Sequence, residues 1–536
     1  MPRSTFGNHE NYKGASPSIR IGGLQSAAVL ATVAGAQAAD LPTRKAAPVQ
    51  YVKICDAYGA GFFYIPGTET CLRVGGLVLA EVAVSNAPYR AIFAPGTNIA
   101  VGNVAGLVPG AYLPGQARDA VAWAALGRIE LDARTQSPWG TVRSFIRVDS
   151  YFGAGAVANT GALTAVAPQA TLGTGAARET TILNKGFIQF AGFTMGRIQS
   201  MFDFYADAAT YSGLRGSNQT VNGLAYTATF GGGFSATLSI EDEVSHRARG
   251  SFNSVVSAGG VFGIPAHQVQ FLGTRMPDIV ANLRVDQPWG SAQLSGALHR
   301  VGVAAYNGAT IAAIATPINA ILAKTDSLGF AIQGGVKFNL DMISPGDSLW
   351  LQATYAQGAV GYLTGSNLAF VNGHNISTNY GVGIARVSSG NGWFEGLTDG
   401  DCIFTYSGTC EKSKGFAVVG AFTHYWTPSV KSWLAAAYYQ INYSGNATNP
   451  IMGALVSGAN TFNVGVTNYK EFDLVGGVAW NPIRGFEIGA EVTWMHGVVS
   501  RPVGLATDAT LIANGFPAFK AQGDLVRGRL RMIRAF

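Results

Sequence analysis

Residues 130–149, ELDARTQSPWGTVRSFIRVD, alternate polar and apolar up to a Ser-Pro-Trp-Gly corner and resume the alternation beyond it. A side-chain period of two marks a β-strand with two different faces. Glu130, Asp132 and Arg134 point one way, and Leu131 and Ala133 the other. After the corner, Arg143, Arg147 and Asp149 share a face opposite Val142, Ile146 and Val148. This is a hairpin pattern, and the chain repeats it. Residues 276–300 turn at Gln-Pro-Trp-Gly, 225–242 on three glycines, and 329–358 at Ser344-Pro345-Gly346-Asp347. Residues 416–444 turn at Trp426-Thr427-Pro428-Ser429, and 471–496 at Asn481-Pro482.

Charged strand faces sit oddly in a chain that is 48% hydrophobic and 12% charged, since soluble domains carry about 25% charged residues. The N-terminus points to export. The run 21–40, IGGLQSAAVLATVAGAQAAD, follows Arg20 and ends in Ala36-Gln37-Ala38. These are the apolar segment and small-residue site of a signal peptide, with cleavage expected after Ala38 or Ala39. Beyond it, no stretch of 18 uninterrupted apolar residues occurs; the nearest, 309–324, is broken by Pro317 and Asn319. An exported, apolar chain without spanning helices has one membrane solution, a closed barrel whose backbone groups pair strand to strand.

The expected organisation is therefore a signal peptide at 1–38, an N-terminal periplasmic segment at 39–70, and an all-β transmembrane antiparallel barrel at 71–536. Long pattern-poor segments at about 86–120, 152–180, 203–223, 243–275, 300–327, 360–415 and 445–468 alternate with the short corners. Short periplasmic turns and long outer loops are how such barrels are built. Trp139, Trp289, Trp426 and Trp480 lie at corners, where an interface girdle would sit. The last strand, 524–536, alternates Arg527, Arg529 and Arg531 with apolar residues and ends in Phe536.

Several segments resemble alphaproteobacterial porins, the group containing the major porins of Brucella and rhizobia. They are 39–76, 133–148, 186–205, 277–299, 335–358 and the terminal Arg527-Gly528-Arg529-Leu530 with Phe536. The resemblance implies a 16-stranded outer-membrane barrel, a homotrimer, and one long loop folded into each lumen. It makes Phe536 the signal read by the barrel-insertion machinery. Membrane lipid, lipopolysaccharide and small hydrophilic solutes complete the expected partners, and the small basic excess is no argument for nucleic acid.

The polar strand faces are expected to line water, where the mechanism is sieving by diameter with an electrostatic bias. The constriction loop is placed at 202–223, with Asp203 and Asp207 as its acids and Tyr205 and Tyr211 packing it to the wall. Arg128, Arg134, Arg143, Arg147, Arg197, Arg527, Arg529 and Arg531 are the expected facing cations. The alternative arrangement has the acids capping turns and the arginines pairing with neighbouring strand carboxylates. Cys55, Cys71, Cys402 and Cys410 fall as two local pairs, which export would convert to disulfides. No hydrolase, zinc-protease or nucleotide-binding motif appears, so neither catalysis nor a cofactor or metal is expected. The leading function is passive diffusion of ions and small hydrophilic solutes. The alternative is a substrate-selective or gated channel for anionic solutes on the same barrel.

Overall fold

The computed structural model describes residues 53–85, 121–155, 177–247, 251–252, 254–256, 268–307, 320–363, 400–404, 409–448, 463–465, 467–501, 507–509 and 521–536. The expected signal peptide, with Ala38 and Ala39, lies outside them. One antiparallel sheet of eighteen strands dominates; without the short pieces at 63–64 and 268–271, sixteen strands close into a barrel. We number these in chain order. They are β1 (Cys71–Ser85), β2 (Val121–Ser137), β3 (Gly140–Gly155), β4 (Ala177–Phe190), β5 (Phe193–Gln199), β6 (Thr220–Gly231), β7 (Phe234–Glu241) and β8 (Asp278–Gln287). The second half comprises β9 (Gly290–Asn307), β10 (Ala320–Asn339), β11 (Ser348–Gln357), β12 (Lys414–Thr427), β13 (Val430–Asn442), β14 (Tyr469–Ile483), β15 (Phe486–Val499) and β16 (Gln522–Ala535).

Closure comes from β1 pairing with β16, from Leu77 opposite Ala535 to Ser85 opposite Arg527. Phe536 finishes the seam: its amide donates to the Gly76 carbonyl at 3.0 Å and its carbonyl accepts from the Gly76 amide at 3.2 Å. With no open edge, every strand has a partner on both sides, as lipid requires.

Two-residue turns fall at Pro138-Trp139, Pro288-Trp289 and Pro428-Ser429, as the alternation implies. The last hairpin differs. Its turn is at Arg484-Gly485, where Gly485 has φ +76°, and Asn481-Pro482 instead form an irregularity between Trp480 and Ile483. Proline has no amide to give a ladder, and an irregularity is where a strand tolerates it. The other ends of the strands join through eight longer connections, one more than the pattern-poor segments predict; the eighth joins β15 to β16. Strands β3 and β9 also run further, to Gly155 and Asn307.

Outward rows are apolar and exposed: Val74, Val78 and Val84 on β1, Leu283 on β8, Leu294 and Leu298 on β9, and Leu434 on β13. Trp139, Trp289, Trp426 and Trp480 are all exposed at the turn end. Trp123 and Trp494 are exposed towards the opposite end. Two aromatic levels flanking an apolar band fit a barrel standing in a bilayer.

Two disulfides join Cys55 to Cys71 and Cys402 to Cys410, with Cα–Cα distances of 5.9 and 5.4 Å. The first ties the segment before β1 to the inner rim. There Phe62 lies under the Arg134 guanidinium at 4.9 Å and Tyr58 donates to Gln136 at 3.4 Å.

Leu283 sits mid-strand and is 60% exposed. Leu283→Arg should destabilise the barrel in lipid by about 2–4 kcal/mol, measured as a lower denaturation midpoint for refolding into vesicles.

Candidate functional site: the barrel interior and its inward loop

The third long connection, residues 200–219, enters the barrel. Polar hooks fix it at its start. Glu241 accepts from the Ser200 hydroxyl at 2.7 Å and the Met201 amide at 2.9 Å. Asn282 donates to the Met201 carbonyl at 2.6 Å, and Gln333 to the Phe202 carbonyl at 2.8 Å. Gln352 then accepts from the Tyr205 amide at 2.9 Å. These partners belong to β7, β8, β10 and β11, so the loop tracks along the inner wall.

Its far end is held harder. Glu491 of β15 accepts from the Tyr211 amide (2.7 Å), the Ser212 hydroxyl (2.6 Å) and Trp433 Nε1 (2.9 Å). The Tyr211 hydroxyl donates to Glu487 at 2.6 Å, and Arg529 donates to the Tyr211 carbonyl at 2.9 Å. The ring lies edge-on to Trp433 at 4.7 Å, with the Arg531 guanidinium 4.5 Å from its centroid. Gly489 makes this fit possible, because a Cβ there would meet the Tyr211 hydroxyl at 2.0 Å. Four residues after Tyr211, Arg215 forms a buried bidentate pair with Glu471 at 2.5 and 2.9 Å.

The wall under the loop is apolar on its inner face too. Val419, Ala421, Ala435, Ala437, Val475 and Ala479 form one buried cluster with Tyr205, Tyr211, Leu214 and Trp433. Small wall residues receive large loop rings, which is how interlocking layers reach interior packing density. A water-lined inner face along every strand, as the alternation predicts, is therefore wrong for β12–β14. The run LAAAYY (434–439) is the sequence signal for it, being apolar on both faces.

The expected arginines divide into three groups. Arg128, Arg134, Arg143 and Arg147 stand on the inner face of β2 and β3, each 12–27% exposed. They pair along their own wall: Arg128 with Asp149 (2.7 and 2.8 Å), Arg134 and Arg143 together on Asp132 (2.8–3.0 Å), and Arg147 with Glu130 (2.6 Å). Arg527, Arg529 and Arg531 also face inward but are buried. Arg531 donates to Glu81 at 2.6 Å, and Arg529 lies 3.5 Å from Glu81 and 3.8 Å from Glu491. Arg529 and Arg531 hold the loop rather than face water. Arg197 is misplaced by the prediction. It shares a register row with Gly186 and, through it, the exposed Ile146, and it donates to the Leu183 carbonyl at 2.8 Å. That row looks outward, because the period of two counted from exposed Phe193 and Met195 puts residue 197 outside.

The loop acids do not meet wall arginines either. Asp203 accepts from Gln199 Nε2 at 2.5 Å and the Gln219 amide at 2.7 Å. Asp207 accepts from the Leu214 amide at 2.8 Å and Asn218 at 2.9 Å. Asp207 does so at φ +58°, a left-handed turn that aspartate tolerates. Both acids thus cap the loop's own backbone. Loss of solvent pushes each carboxyl up to about 6, against those amides, which favour the charged form.

Residues 358–363 also reach inside. Val360, Tyr362 and Leu363 join Phe202, Ala417, Tyr439 and Tyr469 in a second buried cluster. Tyr362 donates to Asp278 at 2.7 Å and stacks on His246 at 3.8 Å. Spacing alone carried no sign of this segment.

The family model described as "Porin subfamily" matches residues 40–512. Porin Omp2b of Brucella suis is 29% identical over 318 residues, covering 58% of this chain and 72% of that protein. Porin Omp2b of Brucella canis is 28% identical over the same shares. Among solved structures, the outer membrane channel DcaP of Acinetobacter baumannii aligns with TM-score 0.51 at 13% identity, covering 88% of this chain and 99% of that one. At that identity the likeness concerns the fold.

Two outcomes follow. Glu491→Ala leaves the Tyr211 amide, the Ser212 hydroxyl and the Trp433 indole without their acceptor, a loss of about 3–5 kcal/mol for a broken buried charge network. Thermal melting should fall, and single-channel records should show a larger, noisier current. Acidification from pH 7.5 to 5 protonates Asp203 and Asp207 through a midpoint near 6. The loop loses negative charge, so reversal potentials in a salt gradient should move towards anions; the double Asn variant should not show that step.

Proposed function

The chain belongs to the porin subfamily and forms an outer-membrane channel for passive diffusion; on that premise we propose a water-filled path along the β2–β4 side of the lumen. The observation that carries this is the split interior. Loop 200–219 and residues 358–363 fill the side of β8–β14 with buried apolar clusters. The arginines of β2 and β3 and Glu130 keep 12–27% of their side-chain surface in solvent. Loop 200–219 is then the narrowing element, and Arg128, Arg134, Arg143 and Arg147 with Glu130 line the path. A solute is selected by size and by the fixed charges it passes, without bond-making.

Assembly as a homotrimer belongs to the same reading. The outward side of β3–β5 carries Ser144, the Ser150–Thr181 hydroxyl pair at 3.0 Å, and Arg197. Polar groups on an outward face are costly in lipid and acceptable against another subunit. Phe536, at the closing seam, is well placed to present the chain end to insertion machinery.

Planar-bilayer recording of the purified, unheated protein tests the proposal. Ohmic current steps grouped in threes are expected. A folded trimer that passes no current would contradict an open path, and single unit steps would contradict the trimer.

A further inference from the structure

The inner wall of β3 and β4 holds a cation that no sequence pattern marked. The β3–β4 ladder shifts register beside Arg147: Arg147 pairs with Lys185 and Val148 with Leu183, so Asn184 is an extra residue. A bulge of this kind re-aims side chains. Asn184 is buried and donates to Asp149 at 2.8 Å, while Leu183 is exposed on the outside. Lys185 follows Asn184 on the inner side, in one row with Glu130 and Arg147.

We propose that Lys185, with the uncommitted guanidinium nitrogens of Arg147 and Arg128, forms a lumen subsite for small carboxylate solutes. This rests on the reading of the lumen as an open path. Arg147 uses its Nε on Glu130, and Arg128 uses Nε and Nη2 on Asp149. Among the described residues, both Nη groups of Arg147 and Nη1 of Arg128 are left to donate. Lys185 makes no hydrogen bond or ion pair among the described residues. Its charged neighbours are Arg147, Arg128, Glu130 and the loop's Asp203. Glu130 and Asp149 are each matched by an arginine, so beside these two pairs the ammonium is a surplus positive charge. Asp203 opposes it from the loop but is engaged by Gln199 and Gln219.

Like charges directly opposite on adjacent strands are destabilising. Arg147 and Lys185 occupy that arrangement. A carboxylate between them would relieve the repulsion and accept from both, the arginine as a fork and the lysine as a point charge. The buried Arg529 and Arg531 cannot do this, being covered by Tyr211 and occupied by Glu81. A site that serves transport must release its solute, so binding should be weak, at about millimolar.

The test is succinate added to one side of a bilayer holding open channels of the full chain. Concentration-dependent, voltage-sensitive block is expected, with the uncharged succinamide giving none. Lys185→Gln should weaken the block about tenfold, and Lys185→Arg should retain it; each variant's own open-channel step reports that it has folded. Open wild-type channels with no block, or equal block in Lys185→Gln, overturn the subsite and leave the channel standing. Absence of any current overturns the channel reading and the subsite with it.

Discussion

Hydrocarbon offers a backbone amide no partner, so every N–H and C=O that crosses the membrane must be matched inside the protein. The sixteen-strand closure follows from that requirement, and so does the seam at which β1 meets β16 and Phe536 meets Gly76. Closing the wall creates an inside. The pleat then sends alternate side chains inward whatever their polarity, and the sequence has to suit both sides at once. On β2 and β3 it does so with paired charges. On β12–β14 it does so with alanine and valine, because a loop covers them.

The inward loop divides the interior. Its acids turn back on its own amides, which gives it a fixed shape. Its outer hooks are carboxylates and amides of the wall, concentrated on Glu491, Glu241 and Gln352. Glu81, Glu491, Arg529 and Arg531 form a buried charge network around Tyr211. Buried networks of this kind are weak contributors to net stability but strong determinants of geometry, since breaking any member strands the others. Position rather than stability is what a narrowing element needs.

Much of the barrel was legible because period two is a strong signal where one face meets lipid and the other does not. The corners at 138–139, 288–289 and 428–429 stood out for the same reason. The reading failed where alternation is locally broken or where both faces are apolar. Lys185 was missed because a one-residue bulge precedes it. Arg197 was assigned inward because its charge, rather than its place in the row from Phe193, decided the assignment. Arg529 and Arg531 stand on the inner face, yet nothing local told that Tyr211, more than three hundred residues earlier, would cover them. The arginines of β2 and β3 pair with carboxylates of the same wall, a partnership that alternation alone does not distinguish from a field across the lumen.

The central claim is that water follows the β2–β4 wall while the loop seals β12–β14. Single cysteines can report it directly, since the native four are tied in disulfides. Glu130→Cys and Gln189→Cys channels should lose current promptly when a charged thiol reagent is added, whereas Ala435→Cys and Val475→Cys channels should be untouched. Rapid reaction at residues 435 and 475, with silence at 130 and 189, would place the path on the other wall and contradict the account.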